Sequence, residues 1–80
     1  MHVTLWSKPD CPLCDDLKAD LLAMQEEIGF SLEERNIQED AAAWARFQYL
    51  IPVLDIADGP LLYPPHTWSS VYSALQQCRD

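Results

Sequence analysis

The segment Cys11–Cys14, with the sequence Cys-Pro-Leu-Cys, constrains this chain most because it joins two patterns that fold differently. Before it, the apolar residues of His2–Trp6 alternate in the manner of a strand. After it, apolar residues recur at helical spacing, and Pro12 suits the first helical position, where its missing N–H breaks no bond. Both thiols are therefore predicted at a helix start, where the dipole favours a thiolate and a reversible disulfide can close.

The first helix is predicted to continue from this segment to Gly29, because glycine readily adopts the left-handed conformation that ends a helix. Its apolar face consists of residues three or four positions apart, which are Leu13, Leu17, Leu21, Met24 and Ile28. Further segments also have the patterns of regular structure. They are a strand at 30–35, a helix capped by Asp40 that runs to about Tyr49, a strand at Val53–Ile56, a hairpin turn at Asp58–Gly59 with a partner strand at Leu61–Tyr63, and a helix capped by Thr67.

The predicted order of elements is βαβαββα, which indicates an α/β fold. A strand–helix–strand unit with a right-handed crossover places its two strands parallel, whereas the later hairpin adds antiparallel strands. We therefore expect a four-stranded mixed sheet with helices on both faces. At 80 residues, the chain is predicted to form a single domain over 1–80.

The charge of the chain is strongly acidic, with 13 Asp and Glu against 5 Lys and Arg, for a net charge of -8. Such a surface repels a phosphate backbone, so no nucleic-acid partner is expected. It would attract a basic protein surface, although an acidic solvated face is the simpler interpretation. The sequence contains neither a long apolar run nor a signal-peptide pattern, so we expect no membrane association and a cytoplasmic location.

Three cysteines do not form a disulfide scaffold, which normally carries more cysteines in even number. Cys78 falls on the apolar side of the last predicted helix and is expected to be a partly buried bystander. The close pair Cys11 and Cys14 instead indicates redox chemistry or metal binding. A structural zinc site usually needs four ligands, so no metal site is predicted from this one pair.

The chain resembles the glutaredoxin-like branch of the thioredoxin superfamily over essentially its whole length. The segment 5–14 is similar to the strand, loop and active-site motif of glutaredoxins. Ile51–Leu54 is similar to the loop of this superfamily that carries a cis-proline. The hairpin at Asp58–Gly59 and the capped last helix follow in the expected order.

The resemblance implies a role for each matching residue. Cys11 would be the thiolate nucleophile and Cys14 the resolving thiol, with no bound cofactor. Pro52 would be the cis-proline beside them, although without the resemblance a trans bond is the better expectation. The backbone of Ile51 would pair with an extended substrate. Lys8 would match the lysine that contacts a carboxylate of glutathione, and its charge would favour the thiolate.

Pro12 and Leu13, between the two cysteines, complete the expected substrate-binding residues. Three departures from glutaredoxins weaken the case for glutathione as a co-substrate. Leu13 replaces the usual aromatic residue, and the segment 64–67 lacks the paired glycines and the aspartate that hold a glutathione carboxylate. Asp10, Asp15 and Asp16 make the surroundings of the motif acidic, which disfavours glutathione and opposes the thiolate.

The preferred hypothesis is a small, monomeric thiol–disulfide oxidoreductase. Its partners would be a disulfide-containing protein or glutathione, and a reductase as electron donor. One alternative is a metal or iron–sulfur carrier in which Cys11 and Cys14 of two chains supply four thiolates, as in some glutaredoxin relatives. Another is a binding module with little turnover, which a Cys11 pKa at or above that of free cysteine, about 8.5, would favour.

Overall fold

The structure is a computed structural model that describes residues 1–79. It contains four strands and three α-helices, with the element order predicted from the sequence. The strands are β1 (His2–Ser7), β2 (Ser31–Asn36), β3 (Val53–Ile56) and β4 (Leu61–Leu62), and the α-helices are α1 (Pro12–Ile28), α2 (Ala41–Phe47) and α3 (Trp68–Gln77).

The sheet has the strand order β2-β1-β3-β4, so β1 lies inside and β2 and β4 are the outer strands. β1 pairs parallel with β2, and antiparallel with β3 in a register that places Leu5 opposite Leu54. β3 pairs antiparallel with β4 through the hairpin. This arrangement confirms the predicted mixed sheet, and it directs the end of β1 toward the cysteine motif.

One face of the sheet is covered by α1 and α3. Alternate residues of β1 and β3 point into this layer and meet the apolar stripes of both helices. The buried cluster consists of Val3, Leu5, Leu17, Leu21, Met24, Ile28, Phe30, Leu54, Ile56, Val71 and Leu75. This cluster fixes α1, and with it the cysteine motif at its first turn, against the sheet.

A smaller cluster lies on the opposite face under α2. It contains Trp6, Ile37, Ala43, Phe47 and Val53, with the rings of Trp6 and Phe47 6.0 Å apart between centroids. Helices therefore cover both faces of the sheet, as predicted. Among residues 1–79, no helix combines the length and the apolar character that crossing a membrane requires.

The region between β2 and β3 differs from the prediction. A single 3-10 turn at Ile37–Glu39, which the sequence pattern did not predict, precedes α2 and buries Ile37 in the smaller cluster. α2 ends at Phe47, not at about Tyr49, and Leu50, which lies beyond its end, is 44% exposed. The amide of Leu50 donates to the carbonyl of Phe47, so the chain makes a tight turn before Pro52.

Three large apolar residues of the helices are exposed. Leu13 is 64% exposed although it belongs to the helical repeat, because the buried face of α1 begins at Cys14 and Leu17. Trp44 and Trp68 are also 42% and 46% exposed. An apolar residue of a helix is buried only where a neighbouring element covers it, and these three side chains lie outside that cover.

The N-terminus of α3 offers a test of its capping. The Thr67 hydroxyl accepts from the amide of Ser70 at 3.1 Å, and the Ser70 hydroxyl accepts from the amide of Thr67 at 3.2 Å. Thr67→Ala should lower the free energy of unfolding by about 1 kcal/mol, since it removes a cap acceptor. Ser73→Ala, at an exposed position within the same helix, is the control and should change stability by less than about 0.5 kcal/mol in urea unfolding.

Candidate active site

The cysteine motif occupies the first turn of α1, where β1 and its following loop deliver the chain. Asp10 has a φ of 59°, in the left-handed region that aspartate tolerates better than most residues. Cys11 is the N-cap in an extended conformation, and Pro12 begins the helix. The sequence prediction for this junction is therefore confirmed.

Cys11 and Cys14 form a disulfide, with their Cα atoms 5.2 Å apart. The Cys11 sulfur also accepts a hydrogen bond from the amide of Cys14, at 3.2 Å between nitrogen and sulfur. This amide is one of the donors that a helix leaves unpaired at its N-terminus. A thiolate at position 11 would meet the same donor and the positive end of the helix dipole.

The two sulfur-bearing residues differ in accessibility. Cys11 is half-buried, whereas Cys14 is only 2% exposed. A thiol attacks an external disulfide only if it can be reached, while the thiol that closes the internal bond needs only its neighbour. The geometry therefore fits Cys11 as the attacking residue and Cys14 as the resolving one.

A groove of about 440 Å³ lies beside the motif, between α1 and the segment that precedes α3. Its lining includes Leu13, the residue between the cysteines, and Pro52, which follows a cis peptide bond as the family resemblance implied. The residues lining the groove are Leu13, Asp16, Leu17, Asp20, Pro52, Pro64, Pro65 and His66. The structure thus brings two of the expected substrate-binding residues, Leu13 and Pro52, to one groove, where Leu13 is exposed and Pro52 is almost fully buried.

His66 was not identified as a site residue from the sequence. Its Nε2 lies 2.7 Å from the carbonyl oxygen of Pro52, a distance at which the ring N–H donates to that oxygen. This bond joins the segment before α3 to the cis-proline loop, and the Pro64–Pro65 peptide bond next to it is also cis. The residues around His66 do not predict a hydrogen bond to a carbonyl 14 positions earlier in the chain.

Lys8 lies on a different surface from Leu13 and Pro52. It is exposed and lines a polar cavity of about 460 Å³ between the loop after β1 and the end of β2. The charged residues around this cavity are Lys8, Arg35, Asp10, Asp15, Glu34 and Glu39. Carboxylates outnumber cations there, so Lys8 is not placed in a basic pocket suited to an anionic ligand.

The remaining candidates have structural contacts. Ile51 is half-buried and packs against the smaller cluster. Arg35 lies 3.5 Å from a carboxylate oxygen of Asp40 and over the ring of Trp6, while Arg46 lies over the ring of Phe47. Within residues 1–79, no three His, Cys, Asp or Glu side chains converge as a metal site would require.

Cys78 is half-buried and reduced, at the end of α3. It packs against the main cluster, and its sulfur is so close to Gly59 that a Cβ built there would be 2.8 Å away. Gly59 lies in the hairpin at the far end of the sheet from the motif, where the amide of Ala57 donates to the carbonyl of His2. Cys78 is thus partly buried, as expected from its place on the last helix.

Comparisons with known proteins agree with this fold. A search of curated proteins found no match. The structure is similar to that of target protein XcR50 from X. campestris, with 25% identity, a TM-score of 0.80 and coverage of 94% of this chain and 96% of the other. It also resembles thioredoxin 1 from Thermosipho africanus TCF52B, with 13% identity, a TM-score of 0.79 and coverage of 98% and 93%.

A third similar structure is protein Ne2328 from Nitrosomonas europaea, with 18% identity, a TM-score of 0.78 and coverage of 99% and 91%. The two likenesses at 13% and 18% identity support the thioredoxin-like fold alone. Residues 2–76 match the sequence family described as Glutaredoxin-like domain (DUF836), which is nearly the whole chain. The protein therefore belongs to this glutaredoxin-like family, and its fold is thioredoxin-like.

Proposed function

We propose that the protein is a thiol–disulfide oxidoreductase that reduces disulfides through Cys11 and Cys14. The observation that carries this proposal is the pair itself, bonded at the N-terminus of α1 with the first residue accessible and the second buried. An inert structural disulfide would gain nothing from such a position. A reactive one gains thiolate stabilisation from the helix and access from the half-buried side chain.

The reaction begins with the reduced protein. The Cys11 thiolate attacks one sulfur of the substrate disulfide, forms a mixed disulfide and releases the other substrate sulfur as a thiolate, which takes up a proton. Cys14 then loses its proton and attacks the Cys11 sulfur. This step releases the second substrate thiol and leaves the Cys11–Cys14 disulfide present in the structure. Two electrons from a reductase or a small thiol must then restore the dithiol.

The charges around the site support a protein disulfide as the substrate more than glutathione. Glutathione has two carboxylates and one ammonium group, so it carries net negative charge. The cavity at Lys8 contains four carboxylates against two cations. Each exposed carboxylate repels an anion only weakly, but several together reduce the affinity of the cavity for glutathione. We therefore propose that glutathione is at most a weak co-substrate.

A redox titration tests the proposal. The protein would be equilibrated in thiol buffers of known potential, and its free thiols would then be alkylated. As the buffers become more oxidising, Cys11 and Cys14 should become protected from alkylation together, while Cys78 should still be alkylated. By analogy with thioredoxin and glutaredoxins, the midpoint should lie between about -270 and -200 mV. Cys78→Ser is the control and should give the same midpoint. If Cys11 and Cys14 do not convert reversibly between dithiol and disulfide over this range of potential, the proposal is wrong.

The electron donor can be identified in a parallel assay. Reduction of insulin disulfides would be followed with either glutathione and glutathione reductase or a thioredoxin reductase system as the source of electrons. We expect faster turnover with the thioredoxin reductase system, because the surroundings of the motif are acidic. Faster turnover with glutathione would contradict the charge argument while leaving the dithiol chemistry intact.

A further inference from the structure

The groove beside Cys11–Cys14 has a composition that indicates its substrate class. We propose that it binds a peptide segment of a protein disulfide in which an apolar side chain and a Lys or Arg lie next to the reactive cysteine. This inference rests on the proposed oxidoreductase function and adds the feature by which the protein selects its substrates.

The floor of the groove is apolar. Leu17 and Pro52, which are almost fully buried, lie at its base, and Leu13, Pro64 and Pro65 are exposed around them. Leu13 is 64% exposed although it sits between the two cysteines, so its apolar surface is available for contact. Burying such surface releases water at about 25 cal/mol per Å², which favours an apolar side chain on the incoming peptide.

The rim of the groove is negatively charged. Asp16 and Asp20 are one helical turn apart on α1, on the same side as Leu13 and Leu17, and both line the groove. None of the ion pairs among residues 1–79 involves either carboxylate. The charge of these two residues is therefore available to an incoming cation.

The cations of the protein lie elsewhere. Within residues 1–79, none of the five Lys and Arg side chains lines this groove. Lys8 and Arg35 line the polar cavity instead. Lys18 pairs with Glu34, Arg46 lies over the ring of Phe47, and Arg79 donates to the side chain of Gln76. A Lys or Arg from the substrate would thus provide the missing positive charge, whereas an acidic residue would be repelled.

His66 gives the groove a fixed wall. Because its ring N–H donates to the Pro52 carbonyl, the segment 64–66 is joined to the cis-proline loop, and the two form one continuous wall opposite α1. A preformed groove loses less conformational entropy when an extended peptide binds than a loop that must first become ordered.

Two matched peptides would test the proposal. Both peptides contain a Cys beside a Leu, and they differ at one neighbouring position, which is Lys in one and Glu in the other. In each, the Cys is joined by a disulfide to 2-mercaptoethanol, which is uncharged. We expect the full chain, reduced beforehand and used in at least stoichiometric amount, to reduce the Lys peptide with a second-order rate constant about tenfold larger, which corresponds to about 1.4 kcal/mol. Raising the salt concentration from 0.05 to 0.5 M should shrink this ratio.

A double variant locates the charges responsible. Asp16→Asn with Asp20→Asn should lower the Lys-to-Glu ratio to about twofold. The matched control, Glu26→Gln with Asp58→Asn, removes the same charge at exposed positions away from the groove and should retain the tenfold ratio. An equal fall in both double variants would mean that the overall charge, not the groove, selects the substrate, and would overturn the proposal.

The test separates this inference from the proposed function. Bis(2-hydroxyethyl) disulfide, which is small and uncharged, serves as the reference substrate for wild-type protein. If wild type reduces it and reduces both peptides equally well, the groove does not select basic segments, although the protein is an oxidoreductase. If wild type reduces none of the three, the oxidoreductase function itself fails.

Discussion

Replacing Cys11 by serine is expected to abolish disulfide reduction, with a loss on the order of a thousandfold or more. The serine hydroxyl stays protonated at neutral pH, whereas the attacking species in disulfide exchange is a thiolate. Position 11 is also the accessible member of the pair. The loss should be measured as kcat/KM for a protein disulfide with a saturating electron donor.

Cys14→Ser provides the complementary result. This variant retains the attacking thiol and lacks the resolving one, so it should form mixed disulfides with substrate that mass spectrometry can identify. Cys78→Ser, which leaves the motif untouched, is the matched control and should keep wild-type activity. Mixed disulfides at Cys14 in the Cys11→Ser protein would instead require the two roles to be exchanged.

Leu5→Ala is expected to destabilise the protein by about 2–5 kcal/mol. Leu5 is fully buried in β1, the strand that pairs with both β2 and β3, and it packs in the main cluster under α1 and α3. A domain of this size has a small margin of stability, within a general range of about 5–15 kcal/mol. The variant should therefore unfold at a much lower urea concentration than wild type.

Leu22→Ala is the control for this measurement. Leu22 also lies in regular structure but is 46% exposed on α1, and alanine is a good helix former. Its unfolding free energy should stay within about 0.5 kcal/mol of wild type. Equal losses in the two variants would show that the main cluster does not dominate stability.

Local rules were sufficient for the elements that carry the site. The alternation of Val3 and Leu5, the proline at the first position of α1 and the glycine that ends it each depend on a few neighbouring residues. Gly29 has a φ of 78°, the left-handed conformation that the prediction required. The N-caps at Asp40 and Thr67 are also observed where their side chains predicted them.

Features that depend on distant contacts could not be read from such rules. The 3-10 turn at Ile37 is held by burial beneath α2, and α2 ends at Phe47, before the predicted end at about Tyr49. The cis bond before Pro52 was expected only because the chain resembles a known family. The hydrogen bond from His66 to Pro52 and the position of Asp16 on the groove appear only when separate segments are brought together.

The two outer strands have a consequence for how the protein behaves at high concentration. β4 is only two residues long, and the exposed stretch of β2 carries Glu33, Glu34 and Arg35. A short edge strand and charged side chains on an edge strand both hinder hydrogen bonding between the sheets of two molecules. We therefore expect the protein to resist fibril formation through edge-to-edge pairing of its sheets at high concentration, even though only one layer of helices covers each face of the sheet.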